Sequence, residues 1–335
     1  MRILHGMVEV AGQNYYSVKG LKKLGLKADS AVWRSNTFGY PVEYDLSIGN
    51  NKFLYPFYLL KMIWFFLLAM FRYDCFHFHF GRSLLPLNLD LFILKLFKKT
   101  IFFEYHGSEL RGAICNIPYE YFMPDSTNPR KQRLFKRMAK YADGFILHDA
   151  ELIPHLPEGN VPVHLVPLRV DLELFTTDKK TTNSVPKIVH APSKRSRKGT
   201  NYLLEALKKI ELQYELILVE NKTQAEALEI YQEADIVFDQ ISVGTYGVFA
   251  IEAMALGKPV LTYISDEMKE KLPDSLPIIS VTPYNLKTEI ETLLVNSDLR
   301  REIGDKGREY VREFHDYRKN AKLLKDIYTR EKIND

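Results

Sequence analysis

Cysteine is scarce in this chain, which has only Cys75 and Cys115 among 335 residues. Two thiols cannot form a disulfide framework, so the class of small, disulfide-stapled secreted domains is excluded and a reducing compartment is favoured. The short apolar run at residues 1–6 has no small-residue cleavage site behind it, so no secretory signal is expected. These features predict a cytoplasmic protein.

An excess of one charge sign is also missing. Lys and Arg number 46, Asp and Glu number 42, and the formal net charge is +4 at pH 7. That balance is too weak to indicate a nucleic-acid partner, and we expect none. The hydrophobic share of 46% lies in the range of globular domains, which excludes disorder as the main state.

Two nucleotide-binding motifs are missing as well. Gly6 and Gly12 lie too far apart for the G-x-G-x-x-G fingerprint, and no P-loop is present, so redox chemistry with NAD is disfavoured. No D-x-D follows a predicted strand. His77 and His79 share one face of a strand but lack an obvious third ligand, so no metal and no cofactor are expected.

What the chain does contain is an alternation of short apolar runs and helical patterns, which predicts parallel sheets covered on both faces, an α/β class. In the first half the predicted strands are 2–7, 28–33, 75–80, 100–105, 144–147 and 163–166, and the predicted helices are 15–24, 53–71, 87–97 and 130–141. In the second half the predicted strands are 187–191, 215–219, 235–238 and 259–264, and the predicted helices are 201–210, 224–232, 247–256 and 286–330 with a break near His315.

A polar stretch without periodicity interrupts this alternation and predicts a linker at 171–186. The chain is therefore expected to hold two doubly wound domains, at 1–170 and 187–314, and a final segment at 315–335. Ligands of open α/β sheets bind beyond the carboxyl ends of the strands, so the default site is a cleft between the two domains.

The apolar run at 53–71 is nearly long enough to span a bilayer, although it contains Pro56 and Lys61. A lysine at the centre of a spanning helix costs about 2.5–3.5 kcal/mol, which disfavours a true span. The favoured interpretation is a helix buried under a sheet, and the second is a helix that enters a membrane interface. The cationic pattern at 130–140 is likewise either a solvated helix face or a contact with anionic lipid.

The most informative segment is 244–261, where a glycine-containing loop leads into a helix. Glu252 is the only charged residue between Phe249 and Leu256, so its carboxylate needs a partner. The partner is either a cation of the protein or a vicinal diol such as a ribose. The loop from Gly244 to Gly247 lets backbone N–H groups approach a phosphate or a sugar at a helix N-terminus.

This segment resembles the donor-site motif E-x-F-G-x-x-x-x-E-A-M-A-x-G-x-P-V of the retaining GT-B glycosyltransferases often called family 4. The matching residues are Gly247, Glu252, Ala253, Met254, Ala255, Gly257, Pro259 and Val260. The resemblance implies that Glu252 holds the ribose hydroxyls of a nucleotide sugar and that Gly247 and Val248 lie at the donor. Two positions depart from the pattern: Gly244 replaces the first glutamate, which in the family contacts the donor sugar, and Tyr246 replaces phenylalanine.

The basic loop that follows the predicted strand 187–191 resembles the family's R-x-x-x-x-K-G segment, in which two cations neutralise the diphosphate. Lys198 and Gly199 match, whereas Ser193 stands at the arginine position and Lys194, Arg195 and Arg197 crowd the same loop. The resemblance implies a catalytic role for Lys198 and donor contacts for Ser193 and Arg195. The alternative is a solvated basic loop.

The N-terminal half carries two further similarities. The segment 105–111 resembles the family's His-Gly segment, which implies that His106 lies beside the donor sugar and that Glu109 and Arg111 lie on the acceptor side. His106 would orient the sugar or bind the acceptor, and it is the only visible candidate for a catalytic base. Glu109 and Arg111 could instead pair with each other. The loop with Gly12 and Gln13 is similar to the family's small-residue loop at the donor phosphates and the acceptor.

The resemblance therefore implies the GT-B fold, with two Rossmann-like domains facing across a cleft and the C-terminal helices packing back toward the N-terminal domain. It implies retaining, metal-independent transfer of a sugar from a nucleotide-sugar donor to a hydroxyl acceptor. We expect a role in cell-surface polysaccharide or glycoconjugate synthesis, with a lipid-linked acceptor if the apolar helix meets the inner face of a membrane. The alternatives are a nucleotide-sugar epimerase of the same fold and a non-catalytic nucleotide-sugar-binding subunit.

Overall fold

The computed structural model describes residues 1–35, 38–111, 129–156, 159–175 and 183–330, which form two α/β units. The first unit contains the described residues up to Arg169 together with those from Tyr317 onward. The second unit runs from Val170 to Asp316. The divisions fall close to the predicted domain ends at 170 and 314.

The first unit is built on a parallel sheet of seven strands in the order β3-β2-β1-β4-β5-β6-β7. Its central strands are buried apolar runs, as expected where helices cover both faces. The strands are β1 (Arg2–Met7), β2 (Lys27–Val32), β3 (Tyr44–Asp45), β4 (Cys75–His79), β5 (Thr100–Tyr105), β6 (Gly144–Leu147) and β7 (Val163–Leu165). Its helices are α1 (Gln13–Lys23), α2 (Tyr55–Arg72), α3 (Asp90–Leu96), α4 (Ser108–Arg111), α5 (Pro129–Tyr141) and α13 (Tyr317–Arg330).

The second unit is built on a parallel sheet of five strands in the order β12-β11-β10-β8-β9. The strands are β8 (Lys187–His190), β9 (Glu215–Leu218), β10 (Ile236–Phe238), β11 (Val260–Thr262) and β12 (Ile279–Ser280). The helices are α6 (Arg195–Lys198), α7 (Thr200–Leu207), α8 (Gln224–Gln232), α9 (Val248–Ala255), α10 (Asp266–Lys269), α11 (Leu286–Val295) and α12 (Ser297–Phe314).

The last helix, α13, belongs to the first unit and packs on α1. Gly20 of α1 allows this close approach, because a Cβ at that position would lie 2.5 Å from Cβ of Ala321. Tyr16 and Tyr317 add a ring contact with centroids 6.0 Å apart. The C-terminal helices thus return to the N-terminal unit through α13, as the sequence predicts.

Helix α2 buries only one face. Met62, Phe65 and Phe66 are 4–6% exposed, and Phe65 and Phe66 belong to the core of the first unit. On the opposite face, Trp64 is 61% exposed and Phe71 is 76% exposed. The predicted burial of 53–71 under a sheet therefore holds for one face of the helix, whereas the opposite face is exposed. By length and composition alone, the segment Lys52–Arg72 could cross a membrane.

The remaining differences from the predicted elements are local. The helical C-terminus breaks at Asn296 as well as near His315. The Asn296 side chain accepts a hydrogen bond from the Leu299 N–H and so caps the start of a new helix. Helix α3 is shorter than the predicted 87–97. The two-residue strands β3 and β12 and the one-turn helices α4, α6 and α10 have no periodic signal, since each is shorter than a helical or strand repeat.

Candidate functional site

Lys198 lies at the carboxyl end of the second sheet, where it is held by two side chains that follow β10. Its ammonium Nζ is 2.8 Å from Oδ1 of Asp239 and 2.8 Å from Oε1 of Gln240. Asp239 is fully buried, whereas the Lys198 side chain remains 17% exposed. The lysine is therefore fixed by a buried carboxylate and still accessible from one side.

The same carboxylate also caps α9. Oδ2 of Asp239 accepts from the N–H of Gly247 at 2.9 Å, and a Cβ at Gly247 would lie 3.4 Å from Nζ of Lys198. The structure thus brings Lys198 and the start of α9 together, with half-buried Val248 as the first helical residue. The N–H of Gly247 is already taken by Asp239, so an anion at this helix must use the N–H groups of the first turn, which have no partner within the helix.

Glu252 lies on α9 and is buried, with 6% of the residue exposed. Its Oε1 accepts from Nε2 of Gln224, the first residue of α8, at 2.9 Å. Burial raises the pKa of Glu252 to about 7, and the Gln224 amide offsets only part of that rise. Within the described part of the chain, the partner of Glu252 is the Gln224 amide and not the cation of an ion pair, so the carboxylate retains capacity for further hydrogen bonds.

Tyr246 is buried and points to the end of α12. Its hydroxyl lies 2.9 Å from the hydroxyl of Tyr310 and 3.1 Å from Nε2 of His315. These contacts tie the loop before α9 to the C-terminal end of α12. The side chain at the position where the family has phenylalanine therefore has a structural role in this chain.

Gly244 adopts a left-handed backbone with φ of +82°, and its carbonyl accepts from the N–H of Ser265 at 2.9 Å. A Cβ at this position would lie 3.1 Å from Cβ of Ser265. The backbone at Gly244 therefore disfavours a glutamate, because both the conformation and the space suit glycine.

The other predicted donor-binding residues of the basic loop, Ser193 and Arg195, are exposed. Arg195 of α6 forms a bidentate pair with Glu220, which follows β9, and its side chain is 52% exposed. Ser193 is exposed in the bend before α6. Neither residue lies with Lys198 in the Asp239 cluster, so their donor contacts stay predictions.

In the first unit, Gly12 and Gln13 form the turn that begins α1. Gly12 has φ of +82°, and a Cβ there would lie 2.6 Å from the Tyr16 ring. The Gln13 side chain makes two hydrogen bonds with the backbone of Arg169. Its Nε2 donates to the carbonyl at 3.1 Å, and its Oε1 accepts from the N–H at 2.8 Å. Gln13 therefore fixes the turn to Arg169, the residue of the first unit that directly precedes the second unit in the chain. Its predicted acceptor-side role stays a prediction.

The same turn carries two buried polar groups that the sequence did not reveal. Glu9 accepts from the Tyr15 N–H at 2.9 Å, and burial raises its pKa to about 7. The amide of Asn14 is fully buried, and neither of its polar atoms has a hydrogen-bond partner within the described part of the chain. A hydroxyl-bearing ligand at this turn would satisfy such groups.

His106 follows β5 and lies among other polar side chains. Its Nε2 is 3.1 Å from Nδ1 of His79, and its backbone N–H donates to Oε1 of Glu109 at 2.6 Å. Burial lowers the pKa of His106 to about 3, so the ring is neutral at physiological pH. The predicted pairing of Glu109 with Arg111 cannot be placed, because the Arg111 side chain lies outside the described residues.

Beside His106, Glu104 and Arg169 form a fully buried ion pair in which Nη2 of Arg169 donates to Oε1 of Glu104. Sequence reasoning missed this pair, as it missed Asp239, Gln224 and Glu9. Asp239 had a signal, since an acidic residue directly follows an apolar strand, where ligands of α/β sheets bind. Gln224, Glu104 and Arg169 had none, because each is identified only by a partner far away in the chain.

Potential metal ligands occur in the first unit, where His5 joins His77 and His79 and where His79 also lies near Glu104 and His106. His77 and His79 lie on one strand, as predicted, and β1 contributes the third histidine because His5 pairs in register with His77. Three imidazoles suit zinc as ligands. In this structure, however, Nδ1 of His5 lies at hydrogen-bond distance from Nε2 of His79, and Nδ1 of His79 lies at hydrogen-bond distance from Nε2 of His106.

Comparison with protein families shows that residues 197–326 match the family described as glycosyl transferase-like. The match begins one residue before Lys198 and includes Asp239, Gly247 and Glu252. Comparison with the curated proteins gives no significant match.

Solved structures resemble the chain over its full length. Sucrose-phosphate synthase from Thermosynechococcus elongatus is 17% identical, with 99% of each chain covered and a TM-score of 0.75. A glycosyltransferase from Rickettsia africae is 16% identical, with 99% of this chain and 98% of that chain covered and a TM-score of 0.69. HepE from Anabaena, in complex with UDP-glucose, is 13% identical, with 98% and 99% covered and a TM-score of 0.71. The chain thus has the GT-B fold.

Proposed function

We propose that this protein is a glycosyltransferase that moves a sugar from a nucleotide-sugar donor to a hydroxyl acceptor. The observation that carries the proposal is the arrangement in the second unit, where the Lys198 ammonium lies at the start of α9 and the buried Glu252 carboxylate lies on the same helix. The match of residues 197–326 to the glycosyl transferase-like family supports the same activity.

Lys198 and the start of α9 suit the diphosphate of the donor. A fixed ammonium and the partial positive charge of a helix N-terminus both stabilise a leaving diphosphate as its negative charge develops. Asp239 keeps Lys198 in place at 2.8 Å before the donor binds. Because the carboxylate also occupies the Gly247 N–H, the phosphate oxygens would meet the exposed side of the ammonium and not its buried side.

Glu252 suits the ribose of the donor. A carboxylate can accept hydrogen bonds from both hydroxyls of a vicinal diol, and the Gln224 amide uses only one direction at Oε1. With a pKa of about 7, the carboxyl group is ionised above neutral pH and gains hydrogen bonds when the diol binds. The base and the sugar of the donor are left open by these contacts.

We further propose the finer assignments implied by the motif resemblance: the family 4 group, retention of the anomeric configuration, and transfer without a metal or cofactor. On the acceptor side we assign Gln13, Glu109 and Arg111 with His106. The buried polar atoms of Glu9 and Asn14 at the same turn support a ligand rich in hydroxyl groups.

Two rival functions share the donor site. An epimerase would release an altered nucleotide sugar, and a binding subunit would release nothing. Gly244 supports the second rival, because glycine stands where the family has the glutamate that contacts the donor sugar, and its backbone disfavours a glutamate.

The decisive experiment is a thermal-shift screen of nucleotide sugars, followed by mass analysis of the products with hydroxyl acceptors. A product heavier than the acceptor by one glycosyl unit supports the proposal. Donor isomerisation, or binding without turnover over a broad acceptor set, contradicts it and selects the corresponding rival.

We also propose that the protein works as a cytoplasmic, peripheral protein at the inner face of a membrane, on a lipid-linked acceptor of cell-surface polysaccharide or glycoconjugate synthesis. The support is an apolar surface, here called the α2–α3 face. Its exposed members are Phe57, Leu60, Trp64, Leu67 and Phe71 of α2 and Phe92, Leu96 and Phe97 at α3. It is continuous, because the rings of Phe71 and Phe97 are in contact with centroids 6.3 Å apart.

Cations border the α2–α3 face. Helix α5 lies beside α3, with the rings of Phe92 and Tyr141 in contact and Arg137 donating to the carbonyl of Leu87. Neither α2 nor α5 contains an acidic residue, and Asp90 of α3 is buried. An apolar face beside a cationic helix that contains no acidic residue is complementary to an anionic lipid surface.

A further inference from the structure

A cavity opens at the amino edge of the first sheet, where β1 and β2 begin. It has a volume of about 540 Å³, and its charged lining residues are Arg2, Lys22, Lys27, Arg72 and Asp29. The volume lies in the range of about 300–1,000 Å³ that is usual for small-molecule sites. We call this cavity, whose lining carries an excess of positive charge, the amino-edge pocket.

Two of the cations are direct neighbours in the sheet. Arg2 of β1 and Lys27 of β2 are partners in the strand register, and both are exposed. Ile3 and Ala28, the residues that follow them, share a core cluster with Leu21 of α1. Because successive strand residues point to opposite faces, Arg2 and Lys27 both lie on the other face of the sheet, which α2 covers.

The other two cations of the amino-edge pocket are paired within the protein. Lys22 donates to the carboxylate of Glu43, and Nη2 of Arg72 lies 3.6 Å from Oδ2 of Asp29. The Tyr73 hydroxyl also donates to Oδ2 of Asp29, at 2.6 Å. The negative charge of the pocket is therefore already matched by these partners.

Arg2 and Lys27 carry the charge that is not matched. Among the residues that the structure describes, neither the Arg2 guanidinium nor the Lys27 ammonium forms an ion pair. Like charges on directly paired strand residues destabilise a sheet. An anion that contacts both side chains removes this repulsion, and phosphate oxygens accept charge-assisted hydrogen bonds from both kinds of cation.

The amino-edge pocket adjoins the α2–α3 face. Phe71, a member of that face with 76% exposure, directly precedes the pocket residue Arg72. The Phe71 ring contacts Phe97, which the exposed Lys98 follows in the chain. Exposed aromatic side chains with cations beside them are typical of segments that lie in a membrane interface, where the cations meet anionic head groups.

We propose that the amino-edge pocket binds the phosphate of an anionic phospholipid head group through Arg2 and Lys27 when the α2–α3 face enters the membrane. The inference rests on the proposed membrane association and adds its chemical partner. The pocket lies at the amino edge of the first sheet, whereas His106 follows β5 at the carboxyl edge. A lipid bound in the pocket therefore leaves the groups assigned to glycosyl transfer free.

The test is co-sedimentation of the full-length protein with vesicles of phosphatidylcholine, alone or mixed with phosphatidylglycerol. The unaltered protein should prefer the mixed vesicles, and Arg2→Gln with Lys27→Gln should weaken that binding by about tenfold. The matched control is Lys322→Gln with Arg330→Gln, which removes the same charge from exposed positions of α13. Equal losses in the two double variants would indicate attraction by net charge alone and overturn the proposal.

Glycerol 3-phosphate distinguishes a lipid head group from a free phosphate. At millimolar concentration it should displace the unaltered protein from mixed vesicles more strongly than sodium chloride of equal ionic strength does. Displacement no stronger than that by sodium chloride overturns the proposal. Tight binding of glycerol 3-phosphate in calorimetry, without a preference for the mixed vesicles, assigns the pocket to a soluble phosphate compound and also overturns it.

Thermal unfolding in phosphate-free buffer checks that Arg2→Gln with Lys27→Gln folds, and loss of the like-charge pair should leave the melting temperature unchanged or higher. The displacement experiment uses the unaltered protein, so it decides the proposal even if this variant does not fold. Absence of vesicle binding by the unaltered protein contradicts the membrane association and the pocket together. Binding that does not depend on Arg2 and Lys27 contradicts the pocket alone.

Discussion

At the scale of single residues, Lys198 combines a structural and a proposed catalytic role. Its ammonium neutralises the buried carboxylate of Asp239, and its exposed side is available to a diphosphate. Arg197, one position away, is exposed. The two cations of one loop are therefore expected to differ strongly in their importance.

We predict that Lys198→Ala reduces turnover by about 10²–10³, the usual loss when one preorganised charge donor is removed. Arg197→Ala should have a mild effect and serves as the control. Lys198→Ala leaves the buried Asp239 carboxylate without its cation, which also lowers stability. The double variant Lys198→Ala with Asp239→Asn removes that buried charge, so its turnover reports the loss of the ammonium alone. Similar, mild losses in Lys198→Ala and Arg197→Ala would show that the diphosphate binds elsewhere.

Glu252 predicts a pH dependence of stability. Its pKa is about 7 in the folded protein, above the ordinary value of 4.5. The folded state therefore holds this proton more tightly than the unfolded state, and the contribution to stability is complete below pH 4.5 and is lost as the pH rises through 7.

The neutral variant Glu252→Gln should remove this dependence. Between pH 5 and 8, the free energy of unfolding of Glu252→Gln should rise relative to that of the unaltered protein by a few kcal/mol. Denaturant titrations at several pH values measure it, and the difference cancels the contribution of Glu9, whose pKa is also about 7. A constant difference would contradict the burial effect.

Glu252→Ala tests the ribose contact itself. Hydrogen bonds to a charged group contribute about 1.5–3 kcal/mol, and nucleotide binding should weaken by that amount while the fold survives. Calorimetry with the nucleoside diphosphate of the active donor measures the loss. Equal affinity in the folded variant would rule out the ribose role.

At the scale of elements, α12 packs on the end of α9 through glycine. A Cβ at Gly304 would lie 2.0 Å from the carbonyl oxygen of Gly257. This contact positions the helix that carries Glu252 against the rest of the second unit.

Gly304→Ala should therefore destabilise the protein. Helix propensity alone favours alanine by about 1 kcal/mol, but overpacking typically costs about 1–3 kcal/mol, and here the clash is with backbone that cannot rotate away. Glu302→Ala, exposed on the same helix, is the control. Thermal unfolding that shows Gly304→Ala to be more stable than the unaltered protein would contradict this packing.

The α2–α3 face predicts binding to anionic vesicles. Trp64→Gln with Phe71→Gln should reduce co-sedimentation strongly, because the two side chains are 61% and 76% exposed and would enter the lipid. The control is Tyr284→Gln with Val295→Gln, which alters similarly exposed apolar residues of the second unit. Rising salt should release the unaltered protein as the electrostatic attraction is screened. Absence of binding at low salt would contradict a membrane role for the α2–α3 face.

At the scale of the whole molecule, the candidate groups divide between two α/β units. Lys198, Asp239 and Glu252 belong to the second unit, whereas Gln13 and His106 belong to the first. No D-x-D motif follows a strand in either half of the sequence. A lysine and a helix N-terminus can hold a diphosphate without a divalent ion.

We therefore predict that glycosyl transfer persists in excess EDTA. The measurement is the rate of product formation before and after prolonged incubation with the chelator, with magnesium or manganese added back. Loss of activity that either ion restores would overturn the metal-free mechanism.

The class of the fold and the location of the donor motif follow from the amino-acid sequence alone. Strand and helix periodicity, glycine caps and the order of apolar runs act within windows of a few residues, and they predict both α/β halves. Lys198 and Glu252 were identifiable for the same reason, since each lies in a short segment whose neighbours define it.

The partners of these residues become visible only in the folded chain. Lys198 and Asp239 are 41 residues apart, Gln224 and Glu252 are 28 apart, and His77 and Tyr328 are 251 apart. The exposure of α2 was also undecided, because an apolar helix has the same pattern under a sheet and at a surface. Lateral strand order and helix packing bring distant residues together, and local pattern carries no information about either.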